Sequence, residues 1–343
     1  MSDLTILGAG IFGLSCAWAA ARRGARVQVI DRGGPGAGAS GGLVGALAPH
    51  APEGWAPAKA LQLEALLLAP DWWAGVTSAA GLPTGYARTG RVQPLKDARA
   101  LDQAQARAMG AQILWQGQAT WQVRPADRPG DPVSPSGMVA ADTLTARLHP
   151  RMALAALVAA IRTSGGKVER TGTLKGPVIH ATGAAGLREL SAAVGQPVGR
   201  GEKGQALSLA FDARDWPQIY APGLHVVFHA DGSTAIGSTS ERDYDRPDTT
   251  DAQLDALHAR ALEVLPALKG APVLARWAGE RPRAASRTVL LDVWPGRPGH
   301  FIANGGFKTG FAMAPLAAGV LVDLVLDGRD RIPDDWRLPG MAG

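Results

Sequence analysis

With 343 residues, 46% hydrophobic and 19% charged, the chain has the balance of a folded globular protein with room for two lobes around a sizeable core. Its net charge of +5 is not gathered into any Lys/Arg block, which argues against a nucleic-acid partner. The single cysteine, Cys16, removes the possibility of a disulfide within these residues and of a cysteine-based metal site, and no metal is expected.

The first elements carry the strongest signal. Leu4–Leu7 reads as a short apolar strand, Gly8-Ala9-Gly10-Ile11-Phe12-Gly13 as a glycine-rich turn, and Leu14–Ala21 as a helix. After a turn at Gly24, Arg26–Ile30 reads as a second apolar strand ending in Asp31. The glycines have separate jobs: Gly8 permits the tight turn, Gly10 lets backbone approach a pyrophosphate, and Gly13 lets the helix pack close on the strand. The helix start offers unpaired N–H groups and the positive end of its dipole to phosphates. Asp31 lies 18 residues past Gly13, near the distance expected for the acid that hydrogen-bonds a ribose. An adenine dinucleotide is expected at this turn. Asp31 argues against NADP, whose 2′-phosphate it would repel, and leaves NAD and FAD open.

Arg32–Leu47 is a loop of Gly, Ala and Ser containing Gly38-Ala39-Ser40-Gly41-Gly42, whose small residues suit close passage along a flat cofactor. Pro57–Ala74 has helical spacing, with Trp72 and Trp73 expected in the core. Next come a strand at Gly90–Leu95, a helix over Asp97–Met109, a strand region at Ile113–Trp121, a surface loop over Arg124–Gly137 and a short strand at Val139–Ala141. Asp142 with Thr143 is expected to cap a turn. His149-Pro150-Arg151 opens a helix over Met152–Arg162, and Lys167–Arg170 is a strand. Pro177-Val178-Ile179-His180 reads as a buried strand running into Ala181-Thr182-Gly183-Ala184, followed by a helix over Gly186–Val194. From Gly204 the period changes to strands, at Gln205–Phe211, His225–His229 and Thr234–Ser238, then a helix over Thr250–Leu265 and a strand at Val273–Trp277. His300–Ala303 is a strand leading into Asn304-Gly305-Gly306-Phe307-Lys308-Thr309-Gly310. The final helix, about Ala312–Leu326, contains Pro315 and Asp323 and reads as a short buried helix rather than a membrane span. The fingerprint begins so early that no cleavable leader is expected, and the expected compartment is the cytoplasm.

Four stretches in this order resemble the FAD-dependent oxidoreductases of the D-amino-acid oxidase family: Gly8–Gly13 with Asp31, Gly38–Gly42, Ala181–Ala184, and Gly305-Gly306-Phe307-Lys308-Thr309-Gly310-Phe311-Ala312-Met313-Ala314-Pro315. Gly237–Glu241 and Trp277-Ala278-Gly279-Glu280-Arg281-Pro282 make the chain look most like the glycine oxidase and D-amino-acid dehydrogenase branch. The resemblance implies an α/β fold: a Rossmann-type FAD-binding domain, interrupted in sequence, with a strand-rich α+β substrate domain. The expected division assigns residues 1–80, 145–198 and 275–343 to the FAD-binding domain, and 81–144 and 199–274 to the substrate domain.

The resemblance also implies roles. Gly8, Gly10 and Gly13 would hold the pyrophosphate of a non-covalent FAD, and Asp31 the adenosine ribose. Ser40, Gly41 and Gly42 would meet the phosphates and ribityl chain, and Thr182 and Gly183 would lie against them. Ile11, Phe12, Arg32, Leu43, Leu174 and Ala181 join the cofactor-binding set. Gly305, Gly306, Phe307, Lys308 and Thr309 would line the flavin near its N1–C2=O edge, where Lys308 and a helix N-terminus would stabilise the charge of reduced flavin. Arg281 matches the arginine that pairs with the substrate carboxylate in the glycine-oxidase branch. Arg281 and Lys308 are therefore the expected catalytic pair. Two departures stand out. The strand expected to supply an aromatic hydroxyl reads His225-Val226-Val227-Phe228-His229, with no tyrosine, and the chain between Arg170 and Pro177 is short. The implied activity is oxidation of the C–N bond of an amino acid or small amine, with oxygen or an electron carrier as acceptor. Oxidation of a glycine-like group on a tRNA wobble uridine, or a non-catalytic flavin-binding role, are the alternatives.

Overall fold

The computed structural model describes residues 3–339. The first half contains β1 (Leu4–Leu7), α1 (Ile11–Ala21), β2 (Val27–Ile30), β3 (Ala46–Leu47), α2 (Pro57–Ala80), β4 (Arg91–Pro94), α3 (Ala98–Leu114), β5 (Trp121–Pro125), β6 (Met138–Asp142), β7 (Ala146–Arg147), α4 (Pro150–Thr163) and β8 (Lys167–Glu169). The second half continues with β9 (Val178–His180), α5 (Gly183–Val194), β10 (Gly199–Leu209), β11 (Gln218–Ala221), β12 (Leu224–Phe228), β13 (Thr234–Gly237), α6 (Ala252–Val264), β14 (Val273–Ala284), β15 (Leu290–Val293), β16 (His300–Asn304) and α7 (Gly310–Asp327).

The strands form two large sheets. The first has the order β15-β16-β9-β1-β2-β8, parallel except where β15 pairs antiparallel with β16. Its central strand β1 is buried on both faces, as a strand covered by helices must be, and its one polar side chain, Thr5, donates to Lys175 O at 2.8 Å. Every residue of α1 is buried, and α1 packs against α7 and α4. A Cβ on Gly13 would stand 1.9 Å from the Gly8 carbonyl oxygen, so only glycine lets α1 sit this close to the turn. The second sheet has eight strands in the order β14-β10-β13-β12-β11-β4-β6-β5. Leu207, Leu209, Ile219, Val226, Phe228 and Ile236 from this sheet pack with Leu254, Ala261 and Leu265 at α6.

The α/β class and the mixture of a Rossmann-type sheet with a strand-rich part are as the resemblance implies. Trp72 and Trp73 are buried in the main core, and Asp142 does cap a turn, accepting from Thr145 N at 2.8 Å. Several boundaries differ. Asp97 caps α3 by accepting from Ala100 N at 2.9 Å, and the helix runs on to Leu114 through residues expected to begin a strand. Strand β5 starts only at Trp121, after a turn in which Gln116 takes a positive φ. Strand β11 and the outer strand β15 were not anticipated. Strand β10 begins at Gly199, earlier than expected, because it is paired along its length with β14. All of β14 pairs in the second sheet and spans position 275, where the sequence reading changes domain. Helix α7 has 18 residues and is apolar and long enough to cross a membrane by length and composition, yet 67% of it is buried inside the fold, against α1 and α2.

Candidate active site

One cavity of about 1290 Å³ lies between the two sheets, larger than the roughly 300–1,000 Å³ common for small-molecule pockets. Three helices begin on it. The N-cap residues are Gly10 for α1, Thr182 for α5 and Thr309 for α7, and none caps its helix with its own side chain. Their first N–H groups and dipoles converge on one space, which suits phosphates and a developing negative charge. Gly8 takes φ +104°, and a Cβ there would stand 2.3 Å from the Ala181 carbonyl oxygen. A Cβ on Gly10 would stand 3.1 Å from Ser40 Oγ. The turn is fixed by Asp31, whose Oδ2 accepts from Ala9 N at 2.7 Å and whose Oδ1 accepts from Gly33 N at 2.9 Å. Ser40 Oγ accepts from Ile11 N at 3.0 Å. Thr182 Oγ1 is buried with no partner among the described residues, an orphan that a ligand oxygen would satisfy.

The opposite wall is the face of the second sheet. Trp277, Ala206, Gly237, His225 and Tyr220 stand in one cross-strand row over β14, β10, β13, β12 and β11, and all but Gly237 line the cavity. Arg91, on β4 beside β11, pairs with Gln218, two residues along from Tyr220, and lines the cavity as well. Its Nε donates to Asp142 Oδ2 at 2.9 Å, and its guanidinium carbon stands 5.7 Å from the Tyr220 ring centre. Burial, reinforced by the charges of Arg91 and Lys308, pushes the His225 imidazole down to about 4, so the ring is neutral at pH 7.

Arg281 lies within β14, buried to 8% exposure. Its Nη1 donates to Ser238 Oγ at 2.6 Å, and its Nη2 donates to Thr239 O at 2.6 Å and Lys203 O at 3.2 Å. Nε is buried without a partner. Burial lowers its pKa to about 10 against the opposing pull of Glu202 and Glu241. Phe307, at φ +40°, stands among cations: its ring centre is 5.4 Å from Arg281, 5.0 Å from Arg283 and 5.5 Å from the Lys308 ammonium. Burial first, then Arg281, holds Lys308 below the usual lysine range, and Glu202 opposes.

Residues 3–324 match the family model described as "FAD dependent oxidoreductase". The chain belongs to that family. FAD is the family's cofactor, and the helix starts, glycine turns and orphaned Thr182 hydroxyl fit it. The chain is 31% identical over 332 residues to a putative thiamine biosynthesis oxidoreductase ThiO of Rhizobium etli, covering 92% of this chain and 94% of that one. It is 37% identical to the glycine oxidase of Pseudomonas putida over 117 residues, 34% of this chain and 32% of the relative, so that match spans about a third of each. The crystal structure of glycine oxidase from Geobacillus kaustophilus superposes with a TM-score of 0.84 at 22% identity, covering 99% of both chains. The glycine-oxidase-like resemblance is thus borne out in sequence and in fold.

Most positions implied for FAD come together on the cavity of this FAD-dependent oxidoreductase: Gly8, Gly10, Ile11, Phe12, Asp31, Arg32, Ser40, Gly42, Leu43, Leu174, Ala181, Thr182, Gly183, Gly306, Phe307, Lys308 and Thr309, with Arg281 on the far wall. Gly13, Gly41 and Gly305 do not line it. They shape the backbone behind it: a Cβ on Gly41 would stand 2.1 Å from Gly36 O, and one on Gly305, at φ +78°, 2.8 Å from Thr288 O. Arg281 lies inside β14, which runs on past the strand end expected at Trp277. Arg91 and Tyr220 were missed. The tyrosine absent from the His225 strand is supplied by the neighbouring strand, where Tyr220 pairs with His225. Arg91 had a signal: it precedes the core residue Val92 in an alternating strand, at a position where an arginine needs a reason.

Proposed function

We propose that this FAD-dependent oxidoreductase oxidises the C–N bond of an amino acid or small amine. The observation that carries the reading is one cavity joining three helix N-termini and Lys308 to a wall bearing Arg281, Tyr220 and His225. FAD, when bound, supplies the hydride acceptor at N5, so that the amine leaves as an imine that water hydrolyses. The chain's own task is placement. Gly8, Gly10, Asp31, Ser40 and Thr182 hold the dinucleotide, and Lys308 with the α7 N-terminus sets positive potential at the flavin's N1–C2=O edge. Arg281 holds the substrate carboxylate with the donors its protein partners leave over, and neutral His225 and the Tyr220 ring shape the space beside it. Residues 1–80, 145–198 and 285–343 form the cofactor lobe on this reading, with β14 joining 81–144 and 199–274 in the substrate lobe. A free small amine is its substrate, oxygen or an electron carrier its acceptor, and the cytoplasm its setting.

The test is anaerobic bleaching of the flavin in purified protein with glycine, sarcosine, D-amino acids, proline and polyamines. No bleaching by any of them overturns the reading. Arg281→Ala should lower kcat/KM for amino acids roughly 30- to 1,000-fold, and far less for the matching decarboxylated amines. Arg281→Lys should not rescue it, because an ammonium cannot replace the bonds to Ser238, Thr239 and Lys203 and still donate to substrate from the same place. Equal loss for acids and amines would assign Arg281 to structure.

A further inference from the structure

The cavity holds a second arginine whose position the carboxylate site at Arg281 does not explain. Arg91 spends one N–H, Nε, on the buried carboxylate of Asp142, and Asp142's other oxygen is taken by Thr145 N. This pair fixes the plane of the guanidinium. Neither Nη has a protein acceptor among the described residues, and Arg91 lines the cavity. An arginine serving only to pair with Asp142 would not need to present its outer fork to a cavity, and Arg281, by contrast, has three donors committed to protein oxygens.

The sheet register sets the spacing. The Arg281 guanidinium reaches Ser238, at the end of β13 beside Gly237, and the Arg91 guanidinium lies over Tyr220 on β11. Gly237, His225 and Tyr220 are neighbours in one cross-strand row, so the strands that these two guanidinium groups reach lie two strand spacings apart, about 10 Å. That span fits two guanidinium–carboxylate pairs with a short carbon skeleton between them. His225, on the strand in between, adds no charge at neutral pH. Asp142 itself does not line the cavity, so it braces Arg91 from behind and leaves the outer Nη groups towards the open space.

We infer that Arg91, braced by Asp142 and stacked near Tyr220, is a second carboxylate subsite, so that the substrate is an amino or imino acid bearing two carboxylates. Arg91 sets specificity, and Asp142 is a positioning residue. The inference rests on the amine-oxidation reading for its chemistry, but the subsite can be tested by binding alone.

The holoprotein is titrated with succinate and glutarate against acetate and propionate, following perturbation of the flavin absorbance. In parallel, anaerobic bleaching compares D- and L-aspartate, D-glutamate and N-(carboxymethyl)glycine with glycine and D-alanine. The dicarboxylates should bind at least about tenfold more tightly than the monocarboxylates, and Arg91→Gln should remove at least about tenfold of that preference. The double variant R91M/D142N leaves neither charge unpaired, guards against misfolding of the single variant, and should lose the preference too. Equal binding of mono- and dicarboxylates by the unmodified protein, or a preference that survives both variants, overturns the subsite. If no amine bleaches the flavin but the dicarboxylate preference is present and depends on Arg91, the subsite stands and the amine-oxidation reading fails.

Discussion

Lys308 shows how far one side chain can be read in advance and where the reading stops. Its place after Gly305-Gly306-Phe307 was visible in the sequence, and it does face the cavity. What no sequence pattern gives is its company: Arg281, Arg283 and the Phe307 ring on one side, and Glu202, paired to Arg283 at 2.7 Å, on the other. Burial first, and then the cations, lower its pKa while Glu202 raises it, and the ammonium adds to the positive potential at this end of the cavity. Lys308→Met should make the flavin harder to reduce, by about 1–3 kcal/mol or roughly 20–60 mV for a two-electron couple, and should weaken its sulfite adduct. A redox titration that finds an unchanged potential would assign that edge to the α7 N-terminus alone. Asp31 and the glycines were legible because each answers a local backbone demand. Arg91 and Tyr220 were not, because they meet only where β4 pairs with β11, two strands far apart in sequence.

Elements show the same division. The β1–α1 turn follows directly from its glycines, and the structure makes the dependence steep. Gly13→Ala places a methyl carbon 1.9 Å from a backbone oxygen that has nowhere to go, so α1 must lift off β1 and carry its N-terminus away from the cavity. The variant should lose FAD during gel filtration and melt at a lower temperature, with a destabilisation of about 1–3 kcal/mol. A yellow variant with an unchanged melting temperature would mean that the turn yields more easily than its packing indicates. Strand β14 taught the opposite lesson. Gly279 and Pro282 punctuate its sequence and suggest that the strand stops at Trp277, yet it runs on to Ala284. It lies at the edge of its sheet, where a missing N–H costs no ladder bond on the outer side. Arg281 itself sits in a strand, and its guanidinium is held by Lys203 O within β10 and by Ser238 and Thr239 in the segment that follows β13.

For the molecule as a whole, buried histidines tie the fold to pH. His229 is 1% exposed, donates from Nε2 to the Leu43 carbonyl in the cofactor loop at 2.9 Å, and leaves Nδ1 buried without a partner. Burial, aided by His149, pushes it down to about 4 from an ordinary 6.5. Above about pH 6.5 the ring is neutral in both folded and unfolded chains. As pH falls from there towards 4, the unfolded chain takes up a proton that the folded chain refuses, so stability falls, by on the order of 3 kcal/mol for this group. The melting temperature of the holoprotein should drop between pH 6.5 and 4.5, and His229→Gln should flatten part of that slope; a slope identical in the variant would place the acid sensitivity elsewhere. The interrupted order of the first sheet bears on synthesis. Strand β9 lies between β1 and β16, α1 packs on α7, and Arg23 pairs with Asp323 at 3.1 Å across nearly the whole sequence. A growing chain on the ribosome can therefore form β1 and its glycine turn within the first thirty or so residues, but α4 and β9 arrive only after about 150 residues and α7, which completes the cover, after more than three hundred. Until then α1, apolar on every side, keeps the face meant for α7 uncovered, and the segment that later grips the flavin is the one most exposed to misassociation during synthesis.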